Sequence, residues 1–140
     1  MLAEEVTSLL KAEGLRLSDA EFLIALGKID EAETYLLERV DQLDGYRYTL
    51  LPPIARAMES EGRALVASMI YRSLLLSILE RGYIKAYTHG ARHLDKLDTL
   101  SESIIDWRER APHVAFKAQL TQSHGLKRSF WAKYKAHKER

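Results

Sequence analysis

The 140-residue chain contains no cysteine, which removes disulfide staples, thiolate nucleophiles and any zinc site built on sulfur. Only three prolines occur, and no run of alternating β-branched residues, so strand signals are nearly absent. Long hydrophobic runs are missing as well. The most apolar stretch, residues 64–79, is interrupted by Arg72 and falls short of the roughly 20 residues a membrane helix needs; it reads as a buried central helix. Residues 1–10 carry Glu4 and Glu5 and lack the basic region and apolar run of a signal peptide. A soluble, cytoplasmic protein with no membrane contact is the expectation. Catalytic signatures are equally scarce: no P-loop, no dinucleotide fingerprint, no G-x-S-x-G elbow, and no nucleophile partner beside His113 or His124. The balance favours a binding or scaffolding module over an enzyme, with no cofactor.

What is present is helical spacing along almost the whole chain, within a composition 46% apolar and aromatic, enough for one core. A first helix is expected over 2–12, ending at Gly14. Ser18 with Glu21 three residues later has the capping-box pattern for a second helix that runs to Gly27. Asp30 is the expected cap of a third, whose apolar positions Ile29, Ala32, Leu36, Val40 and Leu43 trace one face. After a loop at 45–48, Pro52 and Pro53 suit the first turn of a helix reaching Gly62. Residues 63–81 form the long apolar helix, with Gly82 as its C-terminal cap. Helices are then expected over 83–97, from a Ser101 cap to Trp107, from Pro112 to 123, and over 127–137. In the tail that holds the last of these, Leu126, Phe130 and Tyr134 recur every four residues, the spacing of a docking face.

An internal repeat links two of these segments. Gly27 and Ala32, followed by Tyr35 and Leu36, match Gly62 and Ala67, followed by Ile70 and Tyr71, at a separation of 35 residues. That is close to the period of a tetratricopeptide-type hairpin. Glycine permits the tight turn, and the small alanine lets the paired helices approach. The signature tryptophan and terminal proline of that repeat are missing. The expected fold is therefore all-α: one domain over 1–140 of stacked antiparallel helical hairpins, resembling a tetratricopeptide-like right-handed α-α superhelix. Its repeat-like units would be 18–48 and 49–82, covered by C-terminal helices over 83–137.

Charge is unevenly placed. Residues 1–60 hold six Lys/Arg against twelve Asp/Glu, whereas residues 124–140 hold six against one. Lys85, His89, Arg92 and Lys96 fall at i, i+4, i+7 and i+11, a single basic stripe on a helix, opposite Ile84, Tyr87, Ala91, Leu94 and Leu97. With Lys127 and Arg128 they form the candidate recognition surface for a protein partner with an acidic face. Two alternatives overlap with these residues, one of them joining the stripe to the tail. The basic and aromatic tail, including Phe130, Trp131 and Tyr134, could hold nucleic acid. The i, i+4 pair His89 and His93 could serve a metal or hydrolytic site, given a third ligand from elsewhere. A monomer or a homodimer is expected.

Three strings carry a family resemblance: Ile54-Ala-Arg-Ala through Gly62-Arg63, Tyr71-Arg72 and Leu74-Leu75; Lys85-Ala-Tyr-x-His89 with Ala91-Arg-His-Leu94; and His124-Gly-x-Lys-Arg-x-Phe-Trp131. Together, over about residues 48–134, they resemble an uncharacterised bacterial helical family (domain of unknown function 6880). The resemblance implies an α-helical, repeat-like fold and no particular activity. Family members are longer, so the chain is either a C-terminal portion or a short relative. Similar C-terminal segments accompany SWIM-type zinc fingers, but a chain without cysteine holds no such finger.

Overall fold

The computed structural model describes residues 2–140. Eight α-helices follow one another: α1 (Leu2–Lys11), α2 (Leu17–Ala25), α3 (Ile29–Leu37), α4 (Leu51–Ser60), α5 (Ala64–Arg81), α6 (Tyr87–Ser101), α7 (His113–His124) and α8 (Arg128–Lys138). Short 3-10 turns at Val40–Gln42 and Ile84–Ala86 stand before α4 and α6. The described residues contain no strand.

The repeat seen in the sequence is a repeated turn. Gly27 and Gly62 take left-handed backbone, at φ 74° and 73°, which a side chain would disfavour. The following amide then reaches back to close the helix end: Lys28 N–H to the Leu23 carbonyl and Arg63 N–H to the Met58 carbonyl, both at 2.9 Å. The same device ends α5 at Gly82. The turns fold α2 onto α3 and α4 onto α5, and the two hairpins stack, with α2 against α4 and α3 against α5. The all-α class holds.

Local expectations fail where a tertiary contact replaces a local one. Ser18 does not cap α2; the cap position is Arg16, whose N–H is met by the Tyr35 hydroxyl of α3 at 2.9 Å. Asp30 does not cap α3 either, and instead joins Glu33 in pairing with Arg63, at 2.8 and 3.0 Å. Val40 and Leu43 lie beyond the end of α3. Ser101 closes α6 rather than opening a helix to Trp107: its hydroxyl donates to the Asp98 carbonyl at 2.7 Å, so it offers a donor to the preceding turn instead of an acceptor to a following one. Residues 102–112 are irregular. Leu126, expected to dock, is 93% exposed.

The core is organised around α5, which buries Leu65, Val66, Ile70, Leu74, Leu75 and Leu79 among others. Cations close the ends of its neighbours. Buried Arg39 donates through Nη1 to the Tyr35 carbonyl at 3.0 Å and through Nη2 to the carbonyls of Leu10 and Ala12, satisfying acceptors that the end of α1 leaves open. Arg110 donates to the Leu37 carbonyl at 2.7 Å, at the end of α3. On the far side of α5, α6 meets α8 across Gly90, where a Cβ would come within 3.1 Å of the Phe130 ring. Glycine lowers helix propensity by about 1 kcal/mol, but here it admits a fully buried phenylalanine.

Asp98 fastens α6 to α7 and α8. Its carboxylate accepts from the Tyr134 hydroxyl at 2.5 Å and meets His113 Nε2 at 2.6 Å, Lys138 Nζ at 3.0 Å and Lys117 Nζ at 3.2 Å. Burial pushes this carboxyl up, but hydrogen bonds from Tyr134, His113 and Lys138 and the charge of Lys117 outweigh it and hold its pKa at about 2. A carboxyl that titrates lower in the folded chain than in the unfolded one stabilises the fold fully above its unfolded value, about 4, and loses that contribution as pH falls toward the folded value. The contribution at pH 7 is roughly 2 kcal/mol. Asp98→Asn should lose about this amount in urea unfolding at pH 7, and its stability should fall less steeply than that of the parent between pH 4 and 2. An equally steep acid limb would exclude Asp98 as the group responsible.

Candidate anion-binding groove

A groove of about 560 Å³ runs between α4, α5 and α6. Its position follows from the helices that wall it. The proline-led first turn of α4 sets Arg56 one turn into that helix, on its exposed side. The last turn of α5 contributes Arg81, and the 3-10 turn before α6 contributes Lys85. His89, Arg92, His93 and Lys96 come from α6, whose opposite face buries Tyr87, Ala91, Leu94 and Leu97. Ile84, expected on that inward face, is instead 65% exposed, because the helix begins only at Tyr87. Leu74 and Ile78 give the groove an apolar side, and Tyr48, Tyr71 and Tyr83 line it as well. No Asp or Glu is among the lining residues.

The cations in it are not equivalent. Lys96 donates to Glu59 Oε2 at 2.8 Å, and Glu59 Oε1 accepts from the Tyr71 hydroxyl at 3.1 Å. This removes one charge of the predicted stripe and ties α4 to α6. Burial, together with the charge and hydrogen bond of Glu59, raises the Tyr71 pKa and keeps the phenol protonated. His93 is pushed down to about 4 by burial and by neighbouring His89; it is a neutral wall at neutral pH, its ring 5.7 Å from that of Tyr71. Arg81 is held by Ser77, through Nε to the carbonyl and hydroxyl oxygens, both at 3.1 Å, and lies over the rings of Tyr46 and Tyr83, at 4.6 and 5.4 Å. Among the described residues, no carboxylate pairs with Arg56, Arg81, Lys85 or Arg92.

The stripe foreseen in the sequence thus lies along one groove, although Lys85 precedes the helix and Lys96 is neutralised. Lys127 and Arg128 are elsewhere, at the start of α8, and do not line it. The His89 and His93 pair gains no third ligand: among the described residues no group of three His, Asp or Glu side chains could hold a metal. No helix among them is long and apolar enough to cross a membrane. Arg56 and Arg81 carry no sequence signal of their own. Each is an isolated cation on its own helix, and only the packing of α4 and α5 against α6 brings them to the stripe.

A model of a family of unknown function (DUF6880) matches residues 9–133, and the chain belongs to that family. The match takes in α2 and α3, ahead of the region from about residue 48 that carries the resemblance. No curated protein and no solved structure matches the chain.

If Lys96 serves the architecture through Glu59, its removal should register as a small loss of stability. The pair is part-exposed, at 41% and 28% for the two side chains, so Lys96→Met should lower unfolding stability by less than about 1 kcal/mol, and the loss should shrink in 1 M salt. Urea titrations at two salt concentrations measure it.

Proposed function

We propose that this member of the family is a protein-interaction module that takes an acidic segment of a partner into the groove between α4, α5 and α6. One observation carries the reading: Arg56, Arg81, Lys85 and Arg92 come from separate elements to one groove that no carboxylate lines. Converging like charges repel, and an arrangement that gathers them without internal neutralisation is relieved by a bound anion. The apolar floor of Leu74 and Ile78 and the flanking tyrosines suit a peptide that alternates acidic with apolar side chains. Such a segment would contact guanidinium groups bidentately and bury an apolar residue between them.

Nucleic acid is the second reading, and two features weigh against it. The basic residues Lys127 and Arg128 do not continue the groove into a longer track. Glu59 stands at the Lys96 end, and the first sixty residues carry the acidic excess.

A fluorescent peptide rich in Asp and Glu with interspersed Leu, titrated at low salt, should bind with an affinity that falls as salt is added. Arg56→Glu with Arg92→Glu should weaken it at least tenfold while helicity by circular dichroism is unchanged. Unchanged binding would exclude the groove. A single-stranded oligonucleotide that bound more tightly than the peptide would favour the second reading.

The opposite change tests the same electrostatics. Glu59→Gln frees Lys96 and removes the nearest negative charge, so the peptide should bind about threefold tighter, equivalent to about 0.7 kcal/mol. Weaker binding would place Glu59 among the groups the partner uses.

A further inference from the structure

A second cavity, of about 540 Å³, lies between residues 40–45, α5 and α7. It is bounded by Arg72, which is 8% exposed and is one of only three polar or charged residues buried among those described. The Arg72 guanidinium carbon lies 5.0 Å from the centre of the Trp107 ring and 4.5 Å from that of Phe116. Nε and Nη2 are both buried and have no hydrogen-bond partner, and among the described residues no carboxylate pairs with this side chain. The other buried arginine differs at its terminal nitrogens: Arg39 also has an unmet Nε, but its Nη1 and Nη2 donate to three carbonyls. On the same face of α5 as Arg72 and one turn earlier, Ser68 Oγ is a further buried polar atom without a partner.

We infer that this cavity binds an apolar monocarboxylate, whose carboxylate meets the Arg72 guanidinium and whose hydrocarbon part lies along Val40, Leu43, Leu76 and Phe116. The chemistry follows from what the cavity offers. A guanidinium presents N–H donors in a planar fork that matches a carboxylate. Removing it from water without an anion is unfavourable, and contact with two aromatic rings offsets that cost only in part. Burial accordingly lowers the Arg72 pKa to about 10, with no neighbouring charge to raise it.

The remaining charges fix the valence of the ligand. Asp44, Glu80 and Arg81 also border the cavity. Asp44 Oδ1 is engaged by the Tyr46 N–H at 3.0 Å, and Arg81 by Ser77. Glu80 stands two turns along α5 from Arg72, about 12 Å by helical rise. Two acidic groups on the wall oppose a phosphate dianion, and a monocarboxylate at Arg72 brings the least negative charge to them. The apolar walls distinguish a fatty or aryl carboxylate from acetate. Gly45 and Arg81 border this cavity and the α4–α5–α6 groove alike, but Arg72 does not line the groove, so the two sites stand or fall separately.

Hexanoate, hexan-1-ol and hexylammonium, titrated into the unmodified chain, test the inference without any variant. The probes are the Arg72 Nε–H and Trp107 indole N–H resonances, the latter assigned with Trp131→Phe. Hexanoate should shift both along a saturable curve. The alcohol should bind at least tenfold more weakly, and the ammonium should not bind. Inorganic phosphate should fail to displace hexanoate. Arg72→Met should abolish the preference for hexanoate over the alcohol, whereas Arg56→Glu with Arg92→Glu should leave it intact. Equal binding of acid and alcohol, displacement by phosphate, or no saturable shift at Arg72 and Trp107 would each overturn the proposal.

Discussion

Helix α5 is apolar on nearly all sides, and a helix of that kind cannot rest on a surface; it has to be enclosed. Twelve of its eighteen residues are buried. The enclosure is assembled from both directions along the chain, by the α4 hairpin partner before it and by α6 after it. Burying a single large apolar side chain contributes about 1.5–3 kcal/mol, so the enclosure of α5 dominates what holds the chain together. The other features take their places around it. Gly62 sets the turn that returns α4 along α5, and Gly82 releases the chain toward α6. The groove and the Arg72 cavity are places where this enclosure is incomplete, on different sides of the same helix.

The cations of the chain divide by how their charge or donors are met. Arg39 and Arg110 turn their donors onto carbonyls at helix ends. Arg63, Lys96, Lys117 and Lys138 face carboxylates that tie one helix to another. Arg56, Arg81, Lys85 and Arg92 face the open groove, and Arg72 faces aromatic rings with two buried nitrogen donors unmet. The first two groups account for themselves as architecture, because each closes an acceptor or a charge that folding would otherwise leave open. The third does not, and its charges are the ones left for a ligand to meet. The same division explains why the predicted stripe is not uniform: four basic residues with one periodicity include Lys96, which belongs to the fold.

Much of the fold was legible in the chain. The turns at Gly27, Gly62 and Gly82, the proline-led start of α4 and the buried run of α5 are local consequences of residue type, and they follow from backbone freedom, a missing N–H and apolar content. The misreadings share a cause. Ser18, Asp30 and Ser101 are all residues that cap helices when nothing better is available, and in each case the structure supplies an alternative: Tyr35 for the α2 entry, Arg63 for Asp30, and the preceding carbonyl for Ser101. Leu126 has the right spacing for a docking face but lies before α8 begins.

The sequence by itself determined the helical class, the repeated glycine hinge and the shared face of His89, Arg92 and Lys96 on α6, because each depends on periods of a few residues that the backbone imposes locally. Tertiary packing alone decided which cations share a groove, which one Glu59 neutralises, and that Arg72 ends buried between α5, Trp107 and Phe116 without a counter-charge. Those outcomes join residues tens of positions apart. They are set by which helix faces cover α5, a choice made by the total area buried and not by any short pattern in the chain.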